Sequence, residues 1–265
     1  MFALKACTAA LVVSIASGAG GLASAPATLS EVAPEISWET EQAEITAFVE
    51  RAMAELGVVP GLALAVSTPS GRYARGFGVA HVETGQPVDE DTTFYIASAT
   101  KSFTGLAMNI LHNRGALDLD ASIADFAPQA PFPDTIDTRA IRLRDLLSHS
   151  HGIEHFPFGF RFAYSGEHDR ETMWALLGAA RLNSDAPLGT FEYTNVGYNM
   201  LTLMTDRELG SDWQDLLERE IYAPAGMTRT SSRISDVERL GWTLAWPHRS
   251  THPDGPLPLP LSKSD

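Results

Sequence analysis

The sequence contains one cysteine, Cys7, which lies close to the N-terminus of a chain of 265 residues. A single thiol forms no disulfide within the chain and supplies no cysteine metal site. Cys7 also falls in a segment, residues 1–25, that we expect to be removed. The remaining chain would have no cysteine nucleophile, which suits an oxidising compartment.

Positive charge is also scarce. The chain has 19 basic and 33 acidic residues, so its formal net charge is −14 at pH 7. This balance opposes binding to nucleic acid or to anionic membrane surfaces. We therefore expect a small-molecule or peptide substrate as the partner, and no cofactor. The sequence leaves the oligomeric state open.

No apolar run is long enough to span a bilayer, which takes about 20 residues. The N-terminus instead has the features of a signal peptide: Lys5 gives a positive start, and a short, mostly apolar run from Ala9 to Ala16 follows. Small residues then lead to an A-x-A cleavage pattern at 23–25, with cleavage after Ala27 as the alternative. We predict a signal peptide over residues 1–25 and an exported protein, periplasmic or secreted, without a membrane anchor after cleavage.

Apolar spacing predicts a helix over residues 41–56, followed by a hairpin of two strands at 62–67 and 72–81. The chain after residue 98 is predicted to be helical and rich in loops. Its later helices include one stopped by Gly210 and one capped by Ser211. Pro253 to Pro260 is predicted to be an irregular surface loop.

Ser98 and Lys101 lie three residues apart where a strand-like stretch changes to a helix. Residues at this spacing share a helix face, so the hydroxyl and the amine can meet. A serine hydroxyl needs a base to become a nucleophile, and a lysine can be that base if burial lowers its pKa. The alternative is structural: Ser98 caps the helix and Lys101 is solvated.

Tyr193 and Asn195 form a second candidate pair just before another predicted helix. In an extended segment their side chains would point the same way. A phenol beside a lysine ammonium is favoured as the phenolate and can accept the serine proton. The carboxamide can hold a substrate amide or carbonyl. The alternative is a core tyrosine followed by a capping asparagine.

Three histidines, His149, His151 and His155, raise the question of a zinc site. Their spacing fits no standard zinc motif, and no acidic ligand follows in a suitable pattern. We therefore predict no metal site.

Six segments occur in a definite order along the chain: Val59-Pro60-Gly61; Ser98-x-x-Lys101; Gly115-x-Leu117-x-Leu119-Asp120; residues 146–153 (LLSHSHGI); Tyr193-x-Asn195 with Tyr198; and Pro224-Ala225-Gly226-Met227. In this order they resemble the serine beta-lactamase-like hydrolases. That family includes class C beta-lactamases, penicillin-binding D-alanyl-D-alanine peptidases and related esterases and amidases. The resemblance runs from about residue 40 to about residue 235.

The resemblance implies an α/β (α+β) fold over residues 26–265, with an antiparallel sheet flanked by helices and a mainly helical region. It implies that Ser98 is the acylated nucleophile and that its backbone N–H is one oxyanion donor. Lys101 and Tyr193 would share the general-base and general-acid work. Asn195 would position the substrate.

Two departures from the family pattern stand out. His151 occupies a position where the family usually has serine. The family's third motif, a Lys- or His-x-Gly on a strand, does not occur in the 72 residues after Tyr193. We therefore expect the domain to be truncated at its C-terminus and to lack the C-terminal strands.

The sequence thus predicts a serine hydrolase that acts through an acyl-enzyme on an ester, amide or beta-lactam. A beta-lactamase-related esterase or peptidase is favoured. The alternative is a non-catalytic penicillin- or peptide-binding module that has lost the third motif.

Overall fold

The computed structural model describes residues 37–156, 158, 159, 161, 169–250 and 255–260. The predicted signal peptide lies outside the described residues. The chain divides into two compact units: one combines the residues up to Ala97 with those from Val237, and the other is Ser98–Asp236. No helix among the described residues is long and apolar enough to cross a bilayer.

The first unit contains the predicted helix and hairpin. Helix α1 (Trp38–Leu56) begins after Ser37, whose hydroxyl accepts the Thr40 N–H, and ends at Gly57 with a φ of 62°. Strands β1 (Gly61–Thr68) and β2 (Gly71–His81) pair antiparallel along the whole of β1, with Gly61 opposite Gly78 and Thr68 opposite Gly71. The prediction of a long helix followed by a hairpin is confirmed.

A small third strand, β3 (Gln86–Pro87), pairs with the other edge of β2, so the sheet order is β1-β2-β3. The hairpin and α1 are held together by a small apolar cluster centred on Val49, Tyr73 and Phe77. Tyr73 and Phe77 lie four residues apart on β2, so their rings share the face of the strand that packs against the helix.

The prediction that Pro253 to Pro260 is irregular is only partly right. Residues 251–254 lie outside the described residues, but strand β5 (Leu257–Pro258) pairs antiparallel with strand β4 (His248–Arg249). Proline is compatible with an edge strand because its missing N–H need not face a partner. The strand was not predicted because a segment rich in proline is more typical of an irregular loop.

The second unit is helical, and its helices are mostly short. It begins with a 3₁₀ turn (Ala97–Ala99) that leads into α2 (Thr100–Asn113). The elements that follow are α3 (Ile123–Phe126), α4 (Leu143–Leu147), α5 (Arg170–Ala175), a 3₁₀ turn (Leu176–Ala179), α6 (Val196–Leu209), α7 (Trp213–Leu217) and a π-helical turn (Glu218–Tyr222). Helix α8 (Ser235–Arg239) includes the point at which the chain passes from the second unit to the first.

The core of this unit is one continuous apolar cluster, and α4 packs against α6 within it. Met108, Leu146, Met200 and Met204 are completely buried there. Gly197, in the first turn of α6, lies directly against the backbone of α4. A glycine at this point allows the two helices to approach closely.

One predicted helix start is wrong by a residue. Helix α6 ends at Gly210 with a φ of 63°, as predicted, but the N-cap position of α7 is Asp212 and not Ser211. Asp212 has the extended backbone conformation of an N-cap residue, with φ of −62° and ψ of 141°. Both residues are good caps by type, so their order could not be decided from the sequence.

The contact at Gly197 gives a stability prediction. A Cβ added there would collide with the backbone carbonyl oxygen of Leu146 and would lie 2.9 Å from Cδ2 of His151. We expect Gly197→Ala to lower the free energy of unfolding by about 2 kcal/mol, because backbone cannot move aside cheaply. Gly105→Ala is the matched control, since its Cβ would meet only the Tyr198 hydroxyl at 3.7 Å.

Denaturant titration of both variants tests this prediction. Gly105→Ala should stabilise the protein by about 0.5–1 kcal/mol through helix propensity. Equal stabilities for the two variants would contradict the close approach of α4 and α6.

Asp206 on α6 gives a pH-dependent prediction. Burial is the main cause that raises the pKa of this carboxyl to about 7. The charge of Arg170 lowers this pKa by less than burial raises it, and the charge of Asp212 has a smaller, raising effect. Its Oδ1 atom is buried without a hydrogen-bond partner among the described residues. Because the folded pKa lies above the unfolded value, the folded state is favoured at low pH and loses stability as the pH rises through about 7.

Asp206→Asn should remove this loss. We expect the variant to be more stable than the wild type by about 1 kcal/mol above the folded pKa, with the gain vanishing in acid. This gain is smaller than the pKa shift alone would give, because the carboxylate is partly solvated and keeps some of its hydration. The difference in stability is measured by thermal unfolding of both proteins, from below the ordinary pKa of 3.8 to above the folded pKa of about 7. Asp134→Asn, at an exposed carboxyl, should leave the pH dependence unchanged, and a flat wild-type profile would refute the assignment.

Candidate active site

Ser98 lies in the 3₁₀ turn that leads directly into α2, and not in the first turn of the α-helix itself. Its side chain is exposed, and its Oγ accepts a hydrogen bond from Nζ of Lys101 at 3.1 Å. The preceding residue, Ala97, has a φ of 47°, which is strained for a residue with a side chain. The structure thus brings together the hydroxyl and the amine that the sequence paired.

Asn195 meets Lys101 from the other side. Its Oδ1 accepts a hydrogen bond from Nζ of Lys101 at 2.7 Å. Asn195 is not extended as expected, since its φ of −82° and ψ of −17° are helical and it directly precedes α6. The chain turns at Asn195, and the Asn195 carboxamide still contacts Lys101.

Tyr193 completes the predicted group. Its ring centre lies 5.1 Å from Nζ of Lys101, and the ring of Tyr198 lies 5.7 Å from the same atom. Both distances are within the range of cation–π attraction. Ser98, Tyr193 and Asn195 therefore meet around the ammonium group of Lys101, and Tyr198 joins them from the first turn of α6.

The pKa values of the two phenols in the site shift in opposite directions. Burial raises the pKa of Tyr193, but hydrogen bonds with Ser98 and Lys101 and the charge of Lys101 outweigh it, so the net shift is downward. Burial raises the pKa of Tyr198, and a charge on Tyr193 raises it further. Tyr193 is thus prepared to lose its proton while Tyr198 keeps its own.

His149 is a member of the site that the sequence analysis considered only as a metal ligand. Its ring packs 4.7 Å from the ring of Tyr193 and 5.3 Å from that of Tyr198. Its backbone φ of 58° directs the loop after α4 back toward this region. Burial, and then the charge of Lys101, lower the pKa of His149, which favours the neutral ring.

Among the residues that the structure describes, none of the three histidines considered as zinc ligands belongs to a cluster of potential metal ligands. Within the described ranges, the group with ligand atoms close together is His112, Asp118 and Asp120. Asp120 already binds the guanidinium of Arg144 at 2.5 Å, and Nδ1 of His112 accepts the Leu119 N–H at 3.3 Å. These atoms are engaged in local structure, so the group does not form a prepared cation site.

Comparisons with known proteins identify the family of the chain. A family model described as beta-lactamase matches residues 45–262. Penicillin-binding protein 4 from Amycolatopsis lactamdurans is 29% identical over 204 residues, which make up 77% of this chain and 52% of that protein. The chain therefore spans about half the length of this relative.

Solved structures show the same fold. A class C beta lactamase superposes with a TM-score of 0.67 at 20% identity, covering 88% of this chain and 60% of the other. The D-amino acid amidase from Ochrobactrum anthropi SV3, complexed with L-phenylalanine amide, gives a TM-score of 0.56 at 26% identity and covers 71% of this chain and 50% of that chain. The predicted beta-lactamase-like fold is confirmed.

The lowered pKa of Tyr193 can be tested without a substrate. Lys101→Met removes the ammonium but keeps the length of the side chain. The Tyr193 pKa should then rise toward its ordinary value of 10.0, because the charge that stabilises the phenolate is gone. Ultraviolet titration of the phenolate, with Tyr193→Phe subtracted to isolate this residue, measures the shift. An unchanged titration would show that Lys101 does not control Tyr193.

Proposed function

Since this chain belongs to the beta-lactamase family, a family of serine hydrolases, we propose that it forms an acyl-enzyme on Ser98 and hydrolyses an ester or a peptide amide. The observation that carries the proposal is the hydrogen bond of 3.1 Å between Nζ of Lys101 and Oγ of Ser98, in a site that also holds a Tyr193 phenol of lowered pKa. The predicted signal peptide adds to the proposal that the enzyme acts after export.

In the acylation step, Oγ of Ser98 attacks the substrate carbonyl carbon, and its proton passes to the Tyr193 phenolate. Lys101 donates to Oγ and stabilises the phenolate by its charge, so it need not itself leave the hydrogen-bond network. The proton then moves from Tyr193 to the leaving oxygen or nitrogen as the carbonyl carbon–heteroatom bond breaks. In this scheme Tyr193 carries the proton and Lys101 supports the transfer by its charge and its hydrogen bond, which divides the work that the resemblance assigned to both residues.

Deacylation reverses these roles. A water molecule gives its proton to the Tyr193 phenolate and attacks the acyl carbon, and the bond from that carbon to Oγ of Ser98 breaks. The proton returns to Ser98. Asn195, fixed by Lys101 at 2.7 Å, is placed to position the substrate through its amide group.

For the substrate class, we favour an ester or a D-amino-acid amide over a beta-lactam. The support comes from the similarity to a penicillin-binding protein and to a D-amino acid amidase. The site also presents two exposed aromatic side chains, Phe191 and Tyr193, which can contact an apolar part of a substrate.

Covalent labelling tests the nucleophile. The protein should react with a fluorescent fluorophosphonate or penicillin at Ser98, located by peptide mass spectrometry, and Ser98→Ala should abolish labelling. Loss of a serine nucleophile typically costs about 10⁶-fold in rate. Lys101→Arg should be nearly as inactive as Lys101→Met, because a planar guanidinium cannot reproduce the geometry of the two hydrogen bonds that the ammonium donates to Ser98 and Asn195. Labelling that persists in Ser98→Ala would reject the assignment.

Turnover separates the candidate functions. Short p-nitrophenyl esters, D-alanyl peptides and nitrocefin are compared as substrates of the same preparation. Release of p-nitrophenol or D-alanine is the expected result, whereas turnover of nitrocefin alone would identify a beta-lactamase. Stoichiometric labelling without release would instead identify a penicillin- or peptide-binding module.

A further inference from the structure

We propose that His151 is a positioning residue of the site: it anchors Thr194 and thereby aligns the two flanking residues, Tyr193 and Asn195, with Lys101. The inference concerns the position at which this chain has histidine where similar sequences usually have serine. Its consequence for the reaction rate rests on the function proposed above, whereas its consequence for geometry does not.

The surroundings of His151 fix its tautomer. The side chain is buried, and Nδ1 accepts the backbone N–H of Ile153 at 3.0 Å. Burial lowers the pKa of His151 to about 4, so the ring is neutral near pH 7. A neutral ring that accepts at Nδ1 carries its proton on Nε2. Nε2 can therefore only donate.

The acceptor for this proton is the hydroxyl of Thr194, 3.4 Å from Nε2. Thr194 is itself buried, although its neighbour Tyr193 is more than half exposed. A buried threonine between two site residues suits an anchor, because its own side chain faces the protein and not the substrate. A serine at position 151 would be too short to reach it.

Two further contacts tie the same segment to the loop after α4. The Thr194 N–H donates to Nδ1 of His149 at 3.5 Å, and the Glu192 N–H donates to the His149 carbonyl oxygen at 2.9 Å. On its other side the His151 ring packs against Gly197. The imidazole of His151 therefore fills the space between this loop and the start of α6, and links them through Thr194.

The anchor bears directly on the reacting groups. Tyr193 and Asn195 contact Lys101 from the two residues adjacent to Thr194, so a shift of this segment moves both. A displacement of about 1 Å can cost about 100-fold in an enzyme rate. Since the backbone contact to His149 would remain, we expect about a tenfold loss when the His151 contact is removed.

The test uses the full chain and isosteric changes at Thr194. Thr194→Val removes only the hydroxyl, and Thr194→Ser restores it. Thr205→Val is the matched control, because Thr205 is a buried threonine on α6, about 13.5 Å along the helix axis from Val196 at its start. His151→Asn keeps an acceptor for the Ile153 N–H but does not reach Thr194. Two quantities are measured: the Tyr193 phenolate titration, and the rate at which the fluorescent penicillin acylates Ser98.

We expect Thr194→Val and His151→Asn each to move the Tyr193 pKa toward 10.0 and to slow acylation about tenfold. Thr194→Ser should recover both quantities, and Thr205→Val should match the wild type in both. The double variant, with both His151→Asn and Thr194→Val, should show the same Tyr193 pKa and the same acylation rate as either single variant, because both changes break the same hydrogen bond.

The outcomes are distinguishable. A Tyr193 titration unaffected by Thr194→Val, or fully additive effects in the double variant, would overturn the inference. If His151→Asn fails to fold, the Thr194 variants decide alone. If the titration shifts as expected but even the wild type is not acylated, the anchor is supported and the proposed hydrolase function fails.

Discussion

The site depends on the two hydrogen bonds that one lysine donates. Nζ of Lys101 binds Ser98, which lies three residues earlier in the preceding 3₁₀ turn, and Asn195, which lies 94 residues later in the sequence. The ammonium thus joins the start of α2 to the start of α6, and it holds Tyr193 by its charge as well. A charge-assisted hydrogen bond is about twice as strong as a neutral one, so this pair defines the geometry around which the other side chains pack.

The two helix starts can meet because the helices behind them are packed tightly. The buried side chains of α2, α4 and α6 form one cluster, and Gly197 removes the side chain that would otherwise separate α4 from α6. This close approach places the loop after α4, with His149 and His151, beneath Tyr193. Core packing and site geometry are therefore two aspects of the same contact.

The sequence predicted the members of the site better than it predicted their surroundings. Ser98 and Lys101 are linked by helix periodicity, and Tyr193 and Asn195 by a spacing that keeps them together, so both pairs are local properties. His149 could not be found in this way, because its contacts with Tyr193 and Thr194 span more than forty residues and depend on a left-handed turn at a residue that is not glycine.

The same distinction between local and long-range information explains which parts of the fold could be predicted from the sequence. Apolar spacing predicted α1, the hairpin and α6 closely, since burial of one face imposes a period on the sequence. The order of Ser211 and Asp212 at the α7 cap, and the pairing of Leu257 with Arg249, depend on backbone geometry that composition does not encode. Proline in particular marks both loops and edge strands.

The charges of the site explain why two histidines can lie near a lysine. Burial keeps both His149 and His151 neutral, so Lys101 is the cation that lowers the pKa of Tyr193. A second positive charge on His149 would stabilise the phenolate further, but it would also make that phenolate a weaker base. General-base catalysis is most effective when the pKa of the base lies near the working pH and not far below it. A single ammonium against neutral imidazoles therefore gives Tyr193 a lowered pKa without removing its capacity to accept a proton from Ser98.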